Sequence, residues 1–319
     1  TDSLINILET QQLPIEKQLK LYDDICENYC QTDPVKSLLN GKRGLNLAEK
    51  INDKKMIASL SLHVGMAYFL KEPVDSSLIY TQRAIVLAQE INDKKIEATA
   101  LGSLAFWYYN FKNDYETGLD YYFQALSLYK SINNTNNTVR LLVNISGIYY
   151  TMHQYEYGFK YIKEAQTYME KIDNPRLKTA VYESLGSYYL HTGNFEAALE
   201  NMLIALDMSR KHKLIRYEVV TTQFLAGIYS DGFQDYEMAE KYALECEKAA
   251  LSIDNKELLI TAWNILAKVY IDAGKYRKGK DVALKIWDND STEINSAINM
   301  SYQLAICYMY SDEKEKALY

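Results

Sequence analysis

Four cysteines and four histidines are the residues of this 319-residue chain whose side chains could do chemistry unaided. A thiolate attacks carbon or holds a metal, and an imidazole moves a proton near neutral pH. Their spacing favours neither use. Cys26, Cys30, Cys246 and Cys307 contain no C-x-x-C pair and no histidine at ligand spacing. Cys26 and Cys30 stand one helical turn apart, so a bridge between them would distort a helix. Most of these cysteines read as small buried hydrophobes. His153 and His191 fall near helix-to-helix turns in neighbouring segments, where they could face one another, but the solvated-turn reading is favoured. His63 and His212 read as surface or helix-edge residues. Gly41-Lys42-Arg43-Gly44 and Gly279-Lys280 look like fragments of phosphate loops, yet no strand precedes them and no Ser or Thr follows the lysine. No nucleophile–base pair and no paired carboxylates emerge, so the expectation is no enzymatic activity, no metal and no cofactor.

Composition narrows the partners. The net charge is −7 and no run of Lys and Arg forms a block, so the phosphate-neutralising footprint of a nucleic-acid binder is missing. No apolar run approaches the ~20 residues that span a bilayer, and no membrane contact is expected within this segment. The chain begins at Thr1 and stops at Tyr319 inside an expected helix, so both ends are expected to be cut from a longer protein.

The elements that position these residues are repeats. A tyrosine returns at Tyr29, Tyr68, Tyr108, Tyr149, Tyr189, Tyr229, Tyr270 and Tyr308, at intervals of 39, 40, 41, 40, 40, 41 and 38 residues. Three positions before each stands a small residue, from Cys26 and Gly65 to Ala267 and Ala305. Two more small positions follow each tyrosine, as at Ala198 and Ala205. Such a unit is a helix pair whose apolar stripe is covered only by stacking on its neighbours. Ile51-Asn52-Asp53-Lys54-Lys55 recurs as Ile91-Asn92-Asp93-Lys94-Lys95, and Asn and Asp there end one helix and turn into the next. All four prolines sit at expected helix starts, Pro14 and Pro175 for the first helix of a pair, Pro34 and Pro73 for the second. Single-residue insertions are expected within 110–114 and 230–235. A local irregularity is expected in the seventh unit, where Ile286 takes a small position and the second helix should stop short of Asp288-Asn289-Asp290.

The order small, x, x, Tyr, then Gly193 or Gly274, then an aromatic such as Phe195 or Tyr276, then two small residues, resembles the tetratricopeptide repeat. Trp263 falls where that family's first helix often carries tryptophan. The units run to about 40 residues against the family's usual ~34. The resemblance implies an all-α, right-handed superhelix of antiparallel helix pairs, with seven full repeats and a truncated eighth. The expected organisation is a leading helix over 1–13 and an array over 14–319, with repeats at 14–53, 54–93, 94–134, 135–174, 175–214, 215–255, 256–290 and 291–319.

The resemblance also places the first helix of each pair on a concave face. Helical spacing then puts Asp23 and Glu27, Leu62, Met66 and Phe69, Phe106 and Tyr109, Arg140, Val143 and Tyr150 on that face in the first four repeats. Glu183, Ser187, Gln223, Gly227, Asn264 and Lys268 follow in the next three, so the face is apolar early and polar late. Met66, Phe69, Phe106, Tyr109, Arg140 and Tyr150 are the candidate partner-binding residues; extra core, covered by the leading helix or by superhelical closure, is the alternative for Met66, Phe69, Phe106 and Tyr109. A clamp for chaperone carboxylates, known in some relatives, is not reproduced, because Asp23 and Glu27 carry the wrong charge. The string from Asp33-Pro34 to Lys55 resembles the N-terminal repeat regions of Bacteroidetes signalling regulators, which implies a periplasmic sensory or docking segment for a protein or peptide ligand. The alternatives are a cytoplasmic peptide-binding regulator or adaptor, and a structural scaffold that homodimerises through its aromatic face.

Overall fold

The computed structural model describes residues 2–30, 32–69, 74–253, 255–290 and 294–310. Among them sixteen α-helices alternate with short turns, and no strand occurs. The chain forms two compact units, Thr1–Gln154 and Tyr155–Tyr319. The first holds α1 (Asp2–Thr10), α2 (Ile15–Tyr29), α3 (Pro34–Lys50), α4 (Lys54–Phe69), α5 (Val74–Glu90), α6 (Lys94–Trp107), α7 (Tyr115–Ser131) and α8 (Thr135–Thr151). The second holds α9 (Tyr155–Gln166), α10 (Pro175–His191), α11 (Phe195–Lys211), α12 (Ile215–Gly227), α13 (Tyr236–Leu251), α14 (Lys256–Asp272), α15 (Tyr276–Asp290) and α16 (Ile294–Tyr310). In each unit consecutive helices pack as antiparallel pairs, and alternate helices also meet: α4 lies against α2 and α6, and α12 against α10 and α14. This is an all-α helical-repeat architecture.

The turns follow from their residues. Asn52, Asn92 and Asn133 adopt left-handed φ of 54°, 56° and 53°, a conformation that asparagine tolerates better than most residues. The next residue caps the following helix: Asp53 accepts from the Met56 amide at 3.1 Å, and Asp93 from the amides of Lys95 and Ile96. Pro34 and Pro175 occupy first-turn positions, while Pro14 stands one residue before α2. Pro73 lies outside the described residues, as do Gln31 and Ala317.

The small positions are close-contact points. A Cβ on Gly65 would come within 2.6 Å of Thr81 Oγ1, and one on Gly186 within 2.8 Å of Met202 Cε. The repeating tyrosines line the seam within a pair. Tyr68 stacks on Tyr80, Tyr108 on Tyr121 and Tyr229 on Tyr242, with ring centroids 5.5–5.8 Å apart. Cys26, Cys30, Cys246 and Cys307 are free and buried; burial, with the charge of Asp23, pushes the Cys26 thiol up to about 12, so these are inert packing groups. Gly41 and Gly44 sit buried inside α3, against Val64 and Tyr22.

The inserted residues have a definite form. Each is absorbed as a π-helical turn, Tyr108–Lys112 after α6 and Ile228–Phe233 after α12, closed by Asn113 and Gln234 at φ 53°. One extra residue in an α-helix widens a turn to the i→i+5 pattern. The irregularity expected in the seventh unit is absent: α15 runs through Asp288, Asn289 and Asp290, and Ile286 is fully buried there, so a branched side chain at the small position is accommodated without ending the helix. The interrupted helix is α9, which stops at Gln166 and continues as a 3-10 turn over Met169–Lys171. His63 also departs from its surface reading. It is mostly buried, with Nε2 3.3 Å from Asp23 Oδ1. Burial raises the Asp23 carboxyl, but the hydrogen bonds from His63 and Ser59 and the nearby positive charge outweigh it and hold the group below its usual range.

Candidate binding site

Within the first unit, α4, α6, α7 and α8 enclose a cavity of about 380 Å³ that opens to solvent. Met66 and Phe69 reach it from α4. Along α6 it is lined by Thr99, Gly102, Ser103 and Phe106, the i, i+3, i+4, i+7 stripe of one helix face, and by Ala98 beside it. Tyr122 and Tyr129 form its base from α7, and Arg140, Leu141 and Asn144 close it from α8; Cys30 also contributes. Small residues on α6 create the space: a Cβ on Gly102 would meet only Leu141 Cδ2, at 3.8 Å.

Four of the six candidate residues meet there, namely Met66, Phe69, Phe106 and Arg140. Tyr109 does not. It lies inside the π turn, packs on Tyr115 with ring centroids 5.7 Å apart, and pairs its hydroxyl with Thr151 at 3.2 Å. Tyr150, at the far end of α8, is partly buried and also outside the lining. Phe69 is less exposed than its helical position implies, because Phe111 from the π turn covers it. Their rings stack at 6.4 Å, and Phe111 meets Phe106 edge-on at the same distance. Phe106 and Phe111 remain 43% and 45% exposed, so two aromatic rings stand at the surface beside the cavity.

The polar groups at the base are already engaged. Thr99 Oγ1 and the Tyr129 hydroxyl are 2.7 Å apart, and Asn144 donates to the Tyr122 hydroxyl at 3.3 Å. Burial pushes the Tyr122 phenol up to about 12, against the pull of Asn144 and Arg140. Arg140 is the one ionic side chain of the lining. It is exposed and pairs with no carboxylate among the described residues. The arrangement offers an apolar hole, an aromatic rim and one available cation. It brings together no nucleophile and base.

Sequence reasoning missed Phe111 because the π turn that aims it is invisible to a 3.6-residue template. It also missed Thr99, Gly102 and Ser103, although their spacing from Phe106 was a readable signal. Tyr122 and Tyr129, seven residues apart on α7, reach the cavity past the small residues of α6, a path that helix-face assignment does not trace.

The fold has solved counterparts. The apo quorum sensor NprR from B. thuringiensis is similar over 99% of this chain and 94% of its own, with a TM-score of 0.67 at 16% identity. A Rap protein complexed with competence and sporulation factor matches over 95% of this chain and 86% of its own (TM-score 0.66, 14% identity). The Pyrococcus horikoshii signal-transduction ATPase of the STAND class, which has a tetratricopeptide repeat sensor, matches over 98% of this chain and 49% of its own (TM-score 0.69, 18% identity). The fold is that of the tetratricopeptide-type helical repeat. No protein-family model matches the chain, and no curated sequence does.

In the second unit the same helix face carries polar contacts. Lys268 bridges Asp231 and Asp272 at 2.5 and 2.8 Å, and Ser230 also donates to Asp272 at 2.8 Å. Glu183 is partly buried between α10 and α12, with Oε1 2.5 Å from Thr221 Oγ1. That hydroxyl is 2.7 Å from the Tyr217 carbonyl as well. Its one hydrogen is therefore shared between two acceptors, the Glu183 carboxyl and the Tyr217 carbonyl. Burial raises the Glu183 pKa to about 8, against the Thr221 hydrogen bond. His153, His191 and His212 are exposed, and no described group of three His, Cys, Asp or Glu side chains could hold a metal. No described helix is long and apolar enough to cross a membrane.

Proposed function

We propose that this chain is a non-enzymatic repeat domain that binds a protein or peptide segment in the first-unit cavity, as the sensory or docking region of a signalling or transcription-regulatory protein. The observation that carries this reading is the convergence of Met66, Phe69, Phe106 and Arg140 on one open cavity. A preformed, largely apolar recess with a few placed polar groups is the usual form of a binding site, and exposed aromatic residues beside it supply contact area at small entropic cost. The quorum-sensor, Rap and sensor-bearing structures of the same fold support the signalling context by analogy.

The test is selection of a randomised heptapeptide display library on the full chain, followed by titration of the enriched peptides against Phe106→Ala and Gly102→Leu variants. The expected outcome is binding to the parent protein and at least about tenfold weaker binding to both variants, the loss typical of a central aromatic contact. Enriched peptides that bind both variants as tightly as the parent would remove the cavity from consideration.

A further inference from the structure

Granting that the cavity is a binding site, its lining also constrains the ligand's chemistry. We infer that it takes an internal peptide segment in which an aromatic or branched apolar side chain stands next to a single Asp or Glu, the side chain filling the cavity and the carboxylate meeting Arg140.

Three observations point this way. First, at about 380 Å³ the cavity is near the lower end of ligand pockets. It has room for one or two side chains, with the rest of the segment lying outside on Phe106 and Phe111, which are the exposed rings at the rim. Second, the interior hydrogen-bonding groups are committed to each other, Thr99 with Tyr129 and Asn144 with Tyr122. A polar side chain entering the cavity would compete with those pairs and meet few other partners, whereas an apolar one leaves them intact. Third, Arg140 is ionic, exposed at the rim and without a described carboxylate partner, and a guanidinium presents its paired donors in the geometry a carboxylate accepts.

The same facts exclude neighbouring chemistries. A chain-terminal carboxylate held as such needs several donors, and Arg140 is the single ionic residue of the lining. A polyacidic segment would be repelled by a chain of net charge −7. One carboxylate beside an apolar anchor satisfies both limits.

The experiment titrates the full chain with two fluorescein-labelled, end-blocked peptides, Gly-Phe-Asp-Gly and Gly-Phe-Asn-Gly, followed by anisotropy. Both are read on the parent protein and on Arg140→Gln and Gly102→Leu variants whose folding is checked by circular dichroism. We expect the Asp peptide to bind about fivefold more tightly than the Asn peptide, a preference in keeping with a solvent-exposed ion pair. Arg140→Gln should abolish the preference while leaving the Asn peptide unaffected, added salt should reduce it, and Gly102→Leu should abolish binding of both. Equal binding of the two peptides to the parent, with both lost in Gly102→Leu, would leave the cavity reading standing and overturn the charge inference. No binding of either peptide to the parent, or binding that ignores Gly102→Leu, would overturn the inference together with its occupant. A terminal carboxylate is tested by Gly-Phe with a free end, and tighter binding of that peptide than of Gly-Phe-Asp-Gly would also overturn the internal-segment inference.

Discussion

The two units contain the same helices filled differently. A shift of 121 residues, the separation of Tyr68 from Tyr189, Tyr108 from Tyr229 and Tyr149 from Tyr270, lays α4–α8 onto α10–α14. Both sets carry a π turn after their second A helix, and both clasp it to the next A helix through equivalent positions, Tyr109 to Thr151 and Ser230 to Asp272. The contents diverge around that shared frame. Gly102 and Ser103, which leave the cavity open, correspond to Gln223 and Phe224; Phe224 packs against the core of the second unit. Phe106 corresponds to Gly227 and Arg140 to Thr261. Phe111 corresponds to Gly232, where a Cβ would come within 2.4 Å of Phe195. Even the helix spacing follows: α12 packs directly on α14, while α6 and α8 stand further apart. Side-chain volume on one helix face therefore decides whether this architecture holds a cavity or a core.

The strongest way to break the comparison is to exchange those volumes. Phe224→Ser should destabilise the second unit by about 2–4 kcal/mol, the cost of a large-to-small change at a partly buried aromatic, seen as a lower urea midpoint. The reverse exchange, Gly102→Gln with Ser103→Phe, should close the first unit's cavity and abolish peptide binding with little loss of stability. If it instead unfolds the first unit, α6 and α8 cannot approach as α12 and α14 do.

A second contrast is electrostatic. Glu183 and Thr221 correspond to Leu62 and Ala100, so a partly buried carboxyl paired with a buried hydroxyl replaces two apolar residues. The folded carboxyl loses its proton only near pH 8, whereas the unfolded one loses it near the ordinary 4.5. Between those values unfolding releases a proton, so stability from this group falls as pH rises and levels off above pH 8. The expected loss is about 2–3 kcal/mol after allowance for relaxation of a buried site. Glu183→Leu should flatten the pH dependence of the thermal midpoint between pH 5 and 8 and raise it at pH 8. A parent protein equally stable at both ends would show the carboxyl to be ionised in the fold.

How much of this could be read in the sequence depends on what each residue must satisfy. The helix pairs, the turns and the placing of the insertions were legible, because Asn52 or Asp93 answers to its local backbone and Gly186 to a repeating contact. The cavity was half legible. Met66, Phe69, Phe106 and Arg140 follow from helical phase, but Tyr109 sits where the π turn has rotated the face, and Phe111 becomes a wall only through that rotation. Asp23 and His63 were assigned separately to a face and a surface, since nothing in a single helix indicates that the two side chains pair across α2 and α4.

Gly65 and Gly186 test the frame itself, being equivalent positions with different neighbours. The Cβ added at Gly65 would meet Thr81 Oγ1 and, at 3.2 Å, the Ser77 carbonyl and the Thr81 amide, which are backbone. At Gly186 its three nearest neighbours would all be atoms of the Met202 side chain, and methionine can change rotamer. Gly65→Ala should therefore cost about 1–3 kcal/mol and Gly186→Ala under about 1, with Gly186→Leu restoring the larger penalty. Equal melting points for the two alanine variants would mean that the pair in the first unit can part as readily as the one in the second.

The smallest effect separates surface from core. Lys268, between Asp231 and Asp272, corresponds to Gly147, whose added Cβ would meet nothing within 4 Å. Burial opposes the charged form of Lys268, but the two carboxylates outweigh it and raise its pKa. The Lys268 side chain is 40% exposed, so salt screens the cluster and the long side chain loses freedom in holding it. Lys268→Ala should lower stability by under about 1 kcal/mol in dilute buffer and by less in 0.5 M salt. Gly147→Lys in the first unit should gain nothing, because its would-be partners are Asn110 and Thr151, neither of them charged. A double variant with Asn110→Asp supplies the missing partner, and a stability gain confined to that double variant, and lost in salt, would show that the polar clasp depends on charge and is portable between the two units.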